Sequence, residues 1–514
     1  MPLHTSYTKP LTAKDAQHLL LRTTFGFKPA QLSTFTGITA DAALKILLKT
    51  SPTPAPPVSP DTGQTFHDKP FDPNQQGKYV QGLRNWFCAN LASQETNIHE
   101  KLLLFWHNHF VVAYNMVADV RFMYDYYLIL RKNALGNFRN MIIQITKCPA
   151  MLQYLNGDTN EVGKPNENYA RELLELFTIG VGNYTEEDVK TAAQVLTGWK
   201  PIGFASTDLT VGTAFNVPKH DSSDKNFSDF FQKTTIKGRK TSTAGDEELA
   251  ELVEMILKQP ETARYMVREL YRWFINYDIT PTIEKEFIEP MAKIFRDNNY
   301  EMLPLLTAMF QSEHFFDSAV RGCIIKSPLD LIVGLFRYFN FNVPPISNLA
   351  DYVTYTKFIT DHATIQQQSV FDHPTVFGWK PYYDTGFYEI WINSTTLSYK
   401  GFLTDVLIAQ GVGTGTAKIQ IDSLTLAQNT KNPADAEKML DEWLLTLFAV
   451  ELVKQQKDFL IDTVLMQGAP RYEWYNIWTE YTANPTNQTK RTAAKGRLDL
   501  LLLFLFRMAE FQMM

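Results

Sequence analysis

The sequence predicts a mainly α fold: a multi-helix array, orthogonal or bundle-like, with a small irregular or β insertion around residues 201–245. Three observations predict it. Apolar residues recur at three- and four-residue spacing along most of the 514-residue chain, the period of a helix with one buried face. Helix-start signals of the form Thr-x-x-Asp stand directly ahead of two such runs, where side chain and backbone can satisfy each other's unpaired groups. Between 201 and 245 the periodicity vanishes and Gly, Ser, Thr, Asp and Lys dominate. A stretch that long without helical pattern is a loop or a small sheet.

In chain order, Thr12-x-x-Asp15 starts a helix through Arg22, and residues 39–50 make a second. Residues 51–63 are rich in proline, which lacks an amide donor and fixes φ, so they form a loop or an extended linker. Helical spacing resumes at Gln81 with Leu83, Trp86 and Phe87. Asn97 signals the start of a helix over 100–110, and 120–135 and 137–147 are apolar helices. Asn166 caps 167–178, which Gly180 terminates. Thr185-x-x-Asp188, flanked by Tyr184 and Val189 at staple positions, opens a helix to Leu196 that Gly198 and Pro201 stop.

Past the insertion, helices are expected at 246–258, 261–276, 283–298, 302–311 and 328–339. Residues 340–400 are mixed, 416–426 alternate enough for a short strand, and 434–449 and 496–511 are helical again. The expected organisation is N-terminal helices at 1–50 and a linker or loop at 51–80. A main helical domain then spans 81–345, with a C-terminal region at 346–514 packed on it.

Hydrophobic residues make up 45% of the chain and charged residues 20%, with 35 Phe, 23 Tyr and 9 Trp. Such a chain buries a large core, which excludes global disorder. Lysine plus arginine is 49 against 55 acidic residues, a net charge of −6. That balance argues against a nucleic-acid coat and against binding to anionic membranes. Cys88, Cys148 and Cys323 are odd in number and far apart, so they are expected to be free structural thiols rather than a disulfide framework or zinc site. The apolar run 500–506 is too short to cross a bilayer, which takes about 20 residues. The first residues carry no apolar stretch of signal-peptide type, and a cytoplasmic location is the default expectation. GxSxG, HExxH, GxxxxGK[ST] and GxGxxG are all missing, which argues against a serine α/β-hydrolase, a zincin, a P-loop enzyme and a dinucleotide-binding oxidoreductase.

Four constellations carry candidate chemistry. In His107-Asn108-His109 the two imidazoles diverge on a regular helix and converge on a metal only where the helix ends. Otherwise one is packed and hydrogen-bonded while the other lies outside. Glu167, Asn168, Arg171, Glu172 and Glu175 form one polar helix face opposite Tyr169, Ala170, Leu173, Leu174, Leu176 and Phe177. That face is either solvated and ion-paired, or turned to a site. In the second case Glu167 or Glu172 acts as a metal ligand or an acid–base group and Arg171 holds an anionic group in a bidentate fork. His220-Asp221 with Lys225 is a base with its orienter, a pair of metal ligands, or a surface turn. Trp106, Tyr169, Trp199, Trp379, Tyr382, Tyr383 and Trp391 are core aromatics or the wall of a glycan cleft. The candidate catalytic set is thus His107, His109, Glu167, Arg171, Glu172, His220 and Asp221. Asn168, Trp199, Lys225 and Trp379 are the candidate substrate contacts. His107, His109 and His220 are the candidate ligands of a divalent metal.

Residues 18–27 (HLLLRTTFGF), 100–110 (EKLLLFWHNHF), 131–138, 149–157, 165–180 (PNENYARELLELFTIG) and 184–199 (YTEEDVKTAAQVLTGW) make up a recognisable series. It continues with 220–225 (HDSSDK), 326–337 (KSPLDLIVGLFR), 373–383 (HPTVFGWKPYY) and 391–397 (WINSTTL). In order and over most of the chain, these stretches resemble the bacterial family known as domain of unknown function 1800. The resemblance implies a mainly helical protein and genetic partnership with a second family, numbered 1501, that looks sulfatase-like. It also implies that many relatives are exported, and it supplies no activity. The expectation is a hydrolase, metal-assisted or not, acting on a polar or glycan-like substrate through a His/Glu/Asp site inside a helical domain. The alternative is a non-catalytic helical scaffold or accessory subunit that binds a partner enzyme.

Overall fold

The helix-start signals act as read. Thr12 accepts from the Asp15 amide while the Asp15 carboxylate takes the Thr12 amide, and Thr185 and Asp188 do the same. Asn97 accepts from the His99 amide, and Asn166 from the Asn168 amide. The computed structural model describes residues 2–379, 391–413 and 418–514. Helices dominate it, and the strands among the described residues form two small antiparallel pairs. The second pair lies in the predicted insertion, and the first begins two residues ahead of it, at Trp199. β1 (Trp199–Ile202) pairs with β2 (Gly212–Phe215), with Trp199 opposite Phe215. β3 (Lys225–Asn226) pairs with β4 (Thr235–Ile236).

The chain divides into two units that alternate along the sequence. The first comprises Met1–Thr8, Ala40–Phe315 and Ser369–Asp384. Its helices His99–His109, Val120–Asn133 and Phe138–Thr146 pack in succession. Trp106 lies fully buried among them, stacked on Phe110 and Phe138, and its indole N–H donates to the Ala134 carbonyl at 2.9 Å. Among the ion pairs sealed inside this unit are Asp119–Arg121 and Glu100–Arg131, each at 2.7 Å. Arg121 also donates to the Gly203 and Asp208 carbonyls and so ties the β1–β2 connection to the helices. The predicted helix 283–298 is present as Pro281–Ile283, a wider π turn over Glu284–Ile288, and Glu289–Asp297.

The second unit comprises Lys9–Thr39, Phe316–Gln368 and Thr385–Met514. The helix Gln488–Arg507 packs against Ser394–Ala409, Ser423–Gln428 and Glu473–Ala483, burying Leu498, Leu501, Leu502, Leu505 and Phe506. No helix among the described residues is long and apolar enough to cross a membrane. The strand expected over 416–426 is a correction. Asp422 accepts from the Leu424 amide and opens a helix at Ser423–Gln428, Val412 and Ile419 form an isolated bridge, and 416 and 417 lie outside the described residues. The mixed region 340–400 holds two long helices, Leu349–Ile365 and Ser394–Ala409, whose apolar residues are spread around the barrel of the helix rather than along one stripe. All three cysteines are free thiols, two of them buried.

Candidate functional site

The helix His99–His109 stays regular through the histidines and breaks at Phe110. His107 and His109 therefore point to different surroundings, and the convergence on one metal does not arise. The Tyr126 hydroxyl donates its single proton to the Phe110 carbonyl at 2.7 Å. Its oxygen can then only accept from His107 Nδ1, 3.1 Å away. His107 Nε2 accepts from the Phe371 amide at 3.0 Å. The network thus assigns a neutral Nδ1–H tautomer. Burial pushes the imidazole down to about 3.

His109 is fixed the other way round. Its Nε2 lies 3.1 Å from the Phe177 carbonyl, which can only accept, so Nε2 carries the proton. Nδ1 keeps its lone pair and has no hydrogen-bond partner among the described residues. Burial lowers this imidazole to about 4, against a smaller upward pull from the Phe177 bond. His109 lines a small polar pocket together with Asn108, Tyr265, Glu269, Trp273 and Phe377. Asn108 Oδ1 accepts from the Trp379 amide at 2.6 Å, which leaves its amide N–H groups as donors. Tyr265 donates to the Leu176 carbonyl, Glu269 pairs with Arg272 at 3.1 Å, and the Trp273 indole N–H has no partner among the described residues.

Residues 371–379 close this region from the far side. His373 lies 4.5 Å from the His107 ring and 4.0 Å from the Trp379 ring. Among the described residues neither of its nitrogens has a hydrogen-bond partner, nor does the Trp379 indole. Burial first, then the neighbouring His107, hold His373 well below the usual imidazole range. Trp379 is 1% exposed, so it contacts His373 and His107 from within the core rather than offering a face to solvent.

The carboxylates of the 165–180 segment are not part of this pocket. The segment reaches it through Leu176 and the Phe177 carbonyl. Arg171 is already forked onto Glu186, at 2.7 and 2.9 Å, with Glu167 at 3.3 Å. All of these groups are at least a third exposed or nearly so, which is the ion-paired outer face. Glu172 is half-buried, and burial followed by the adjacent Glu175 raises its carboxyl. Glu175 accepts from Tyr184, and Asn168 begins the helix under the Asn166 cap.

His220 and Lys225 meet a residue that the sequence reading missed. Glu248, on the buried face of the helix Ala244–Leu257, lies 3.2 Å from His220 Nε2 and 2.6 Å from Lys225 Nζ. It also accepts from the Arg239 amide at 2.8 Å. His220 Nδ1 faces the Thr197 carbonyl at 3.0 Å. Burial pushes the Glu248 carboxyl up, but the bonds from His220 and Lys225 outweigh it and the group ends below its ordinary value. Asp221 is not the orienter of His220: its carboxylate turns to Ser223 and its amide to Thr197. Lys225 is fully buried and paired, so it presents no charge to a substrate. Trp199 is buried against Phe215 with Lys147 over its ring, which is core packing. Trp106, Tyr169 and Trp391 are buried too, while Tyr382 and Tyr383 lie outside the described residues. Among the described residues no group of three or more His, Cys, Asp or Glu is placed to hold a metal ion.

The buried histidines make the first unit sensitive to acid. His99, His107 and His109 stand at about 4, 3 and 4 in the fold, against about 6.5 in the unfolded chain. Between those values only the unfolded chain takes up the protons. Stability is therefore complete above pH 6.5, falls as the pH drops, and stops falling near pH 3–4. At about 1.4 kcal/mol per pH unit for each group, the three together lose about 4 kcal/mol per unit. Urea midpoints at pH 7 and 5.5 should differ accordingly, and identical midpoints would show the rings to be solvated.

No curated protein and no solved structure matches the chain. The model of the family described as "Protein of unknown function (DUF1800)" matches residues 18–513, nearly its whole length. The histidine segment, the Phe177 segment and the Trp379 segment that build the pocket all lie inside that span. The chain belongs to the DUF1800 family.

Proposed function

We propose that the protein is a hydrolase of a polar substrate and that the pocket beside His109 is where it acts. The observation that carries this reading is the fixed tautomer of His109. A backbone carbonyl holds the proton on Nε2, so Nδ1 is a permanent lone pair in a polar pocket, the requirement for a general base. The free amide donors of Asn108 supply what stabilises charge developing on an attacked carbonyl or leaving oxygen. Burial keeps the base neutral well below pH 7. His109 activates a water, Asn108 steadies the developing anion, and Glu269 sets the polarity of the wall. A glycan-like substrate is the narrower form of this proposal, and a metal ion is not required by it.

A second reading, the non-catalytic scaffold that docks a partner enzyme, sulfatase-like as the family resemblance implies, is favoured by different residues. His107, Lys225 and Glu248 spend their polar atoms on the protein itself, as do Asp119 and Arg121. Such networks fix helix order.

A panel of nitrophenyl esters and glycosides separates the two. Turnover that His109→Ala lowers by about 10²–10⁴-fold, with a wild-type rate that is flat from pH 8 to 5 and falls only near pH 4, is the expected result. Turnover that survives His109→Ala, or none with any member, would favour the scaffold.

A further inference from the structure

The second unit contains a groove of about 1190 Å³, beyond the range of about 300–1,000 Å³ that single small ligands occupy. Its walls come from the helices Pro29–Phe35, Ser423–Gln428 and Ala436–Leu447 and from the turn at Phe339 and Asn340. Its ionised side chains cancel: Lys28 and Lys431 stand against Asp422 and Glu442. Both acids are held by the chain itself. Asp422 accepts from the Leu424 amide and the Thr425 hydroxyl, and Glu442 takes the Lys431 amide on both oxygens. What the walls leave unspent is mostly neutral. Lys28 donates to Asn340 Oδ1, which keeps the Asn340 N–H groups as donors. The side-chain amides of Gln420 and Asn429 line the groove with no hydrogen-bond partner among the described residues. Ser33 and Thr36 donate to carbonyls of their own helix, so their oxygens can still accept. Half-buried Phe339 adds an aromatic surface.

We propose that this groove binds a neutral oligosaccharide. A side-chain amide sets an acceptor beside a donor, so it takes a proton from one sugar hydroxyl and gives one to the next. Gln420 and Asn429 do this, Asn340 donates, and the C–H face of a ring lies on Phe339. Hydroxyls need donors and acceptors in balance and no counter-charge, and these walls offer that balance. A peptide fits less well, because its common docking modes use a sheet edge or an apolar groove. No strand of the described residues borders this groove, and amides, hydroxyls and charges line much of it. The inference does not rest on the hydrolase reading, so His109→Ala should leave the binding unchanged.

Calorimetry of the full chain against uncharged hexasaccharides tests it, with β-1,4-glucose, β-1,4-xylose, α-1,4-glucose and N-acetylglucosamine series as probes and a Gly-Ser hexapeptide as control. At least one saccharide should bind and the peptide should not. Gln420→Ala combined with Asn429→Ala should weaken that binding by about tenfold, the worth of one or two hydrogen bonds. Ser33→Trp, which fills the groove from the helix Pro29–Phe35, should abolish it. Ser33 and Asn429 are exposed and Gln420 is half-buried, so both variants should unfold at the parent's urea midpoint. No binding of any saccharide, binding of the peptide instead, or saccharide binding that either variant leaves unchanged would overturn the proposal.

Discussion

Replacing Glu248 with alanine is expected to destabilise the first unit by about 3–5 kcal/mol, the cost of removing one partner from a buried charge pair. The carboxylate is unexposed and holds Lys225 at 2.6 Å, faces His220 at 3.2 Å and takes the Arg239 amide. Its loss strands an ammonium with no solvent to receive it. A Lys225→Met, Glu248→Leu double variant removes both charges together and should recover most of the loss, since apolar replacements of a buried pair are close to neutral. Urea unfolding of the two variants measures this directly. A single-variant cost below about 1 kcal/mol would mean that water reaches Lys225.

Gly378→Ala is the second large effect. Gly378 has φ +74, and an added Cβ would stand 2.4 Å from Asn108 Oδ1 and 2.6 Å from the Asn108 carbonyl oxygen. The backbone conformation alone costs an L-residue about 1–2 kcal/mol, and the clash must move either Asn108 or the 371–379 segment. The expected total is about 3 kcal/mol, with loss of the Trp379 amide bond to Asn108. Because Asn108 also lines the His109 pocket, any activity there should fall with it. The Glu248 network, which lies elsewhere in the same unit, should keep its own stability contribution. An alanine variant as stable as the parent would show that the segment is not seated on Asn108.

Much of the architecture was legible because its causes are local. The pairs Thr12/Asp15 and Thr185/Asp188 open helices through side chains three residues apart, and the change of composition at 201–245 marks the only paired strands among the described residues. The helix Leu349–Ile365 was missed because its buried Tyr352, Tyr355, Thr356 and Ile359 do not make a clean stripe. The site was only partly legible. His107-Asn108-His109 stood out as side chains, but what fixes the role of each ring is a backbone group far along the chain, the Phe371 amide for one and the Phe177 carbonyl for the other. Backbone partners leave no mark in residue identity. Glu248 was hidden among Glu247, Glu251 and Glu254, and only its spacing with Gly245, Leu249 and Leu252 on the buried face sets it apart.

Long-range ¹⁵N–¹H correlation spectra of histidine-labelled protein at pH 7 test the central claim most directly. His109 should appear as a neutral ring protonated at Nε2, with Nδ1 bare, and remain so down to about pH 5. A ring protonated at Nδ1, or one that becomes an imidazolium near pH 6.5, would contradict it and remove the base from the pocket.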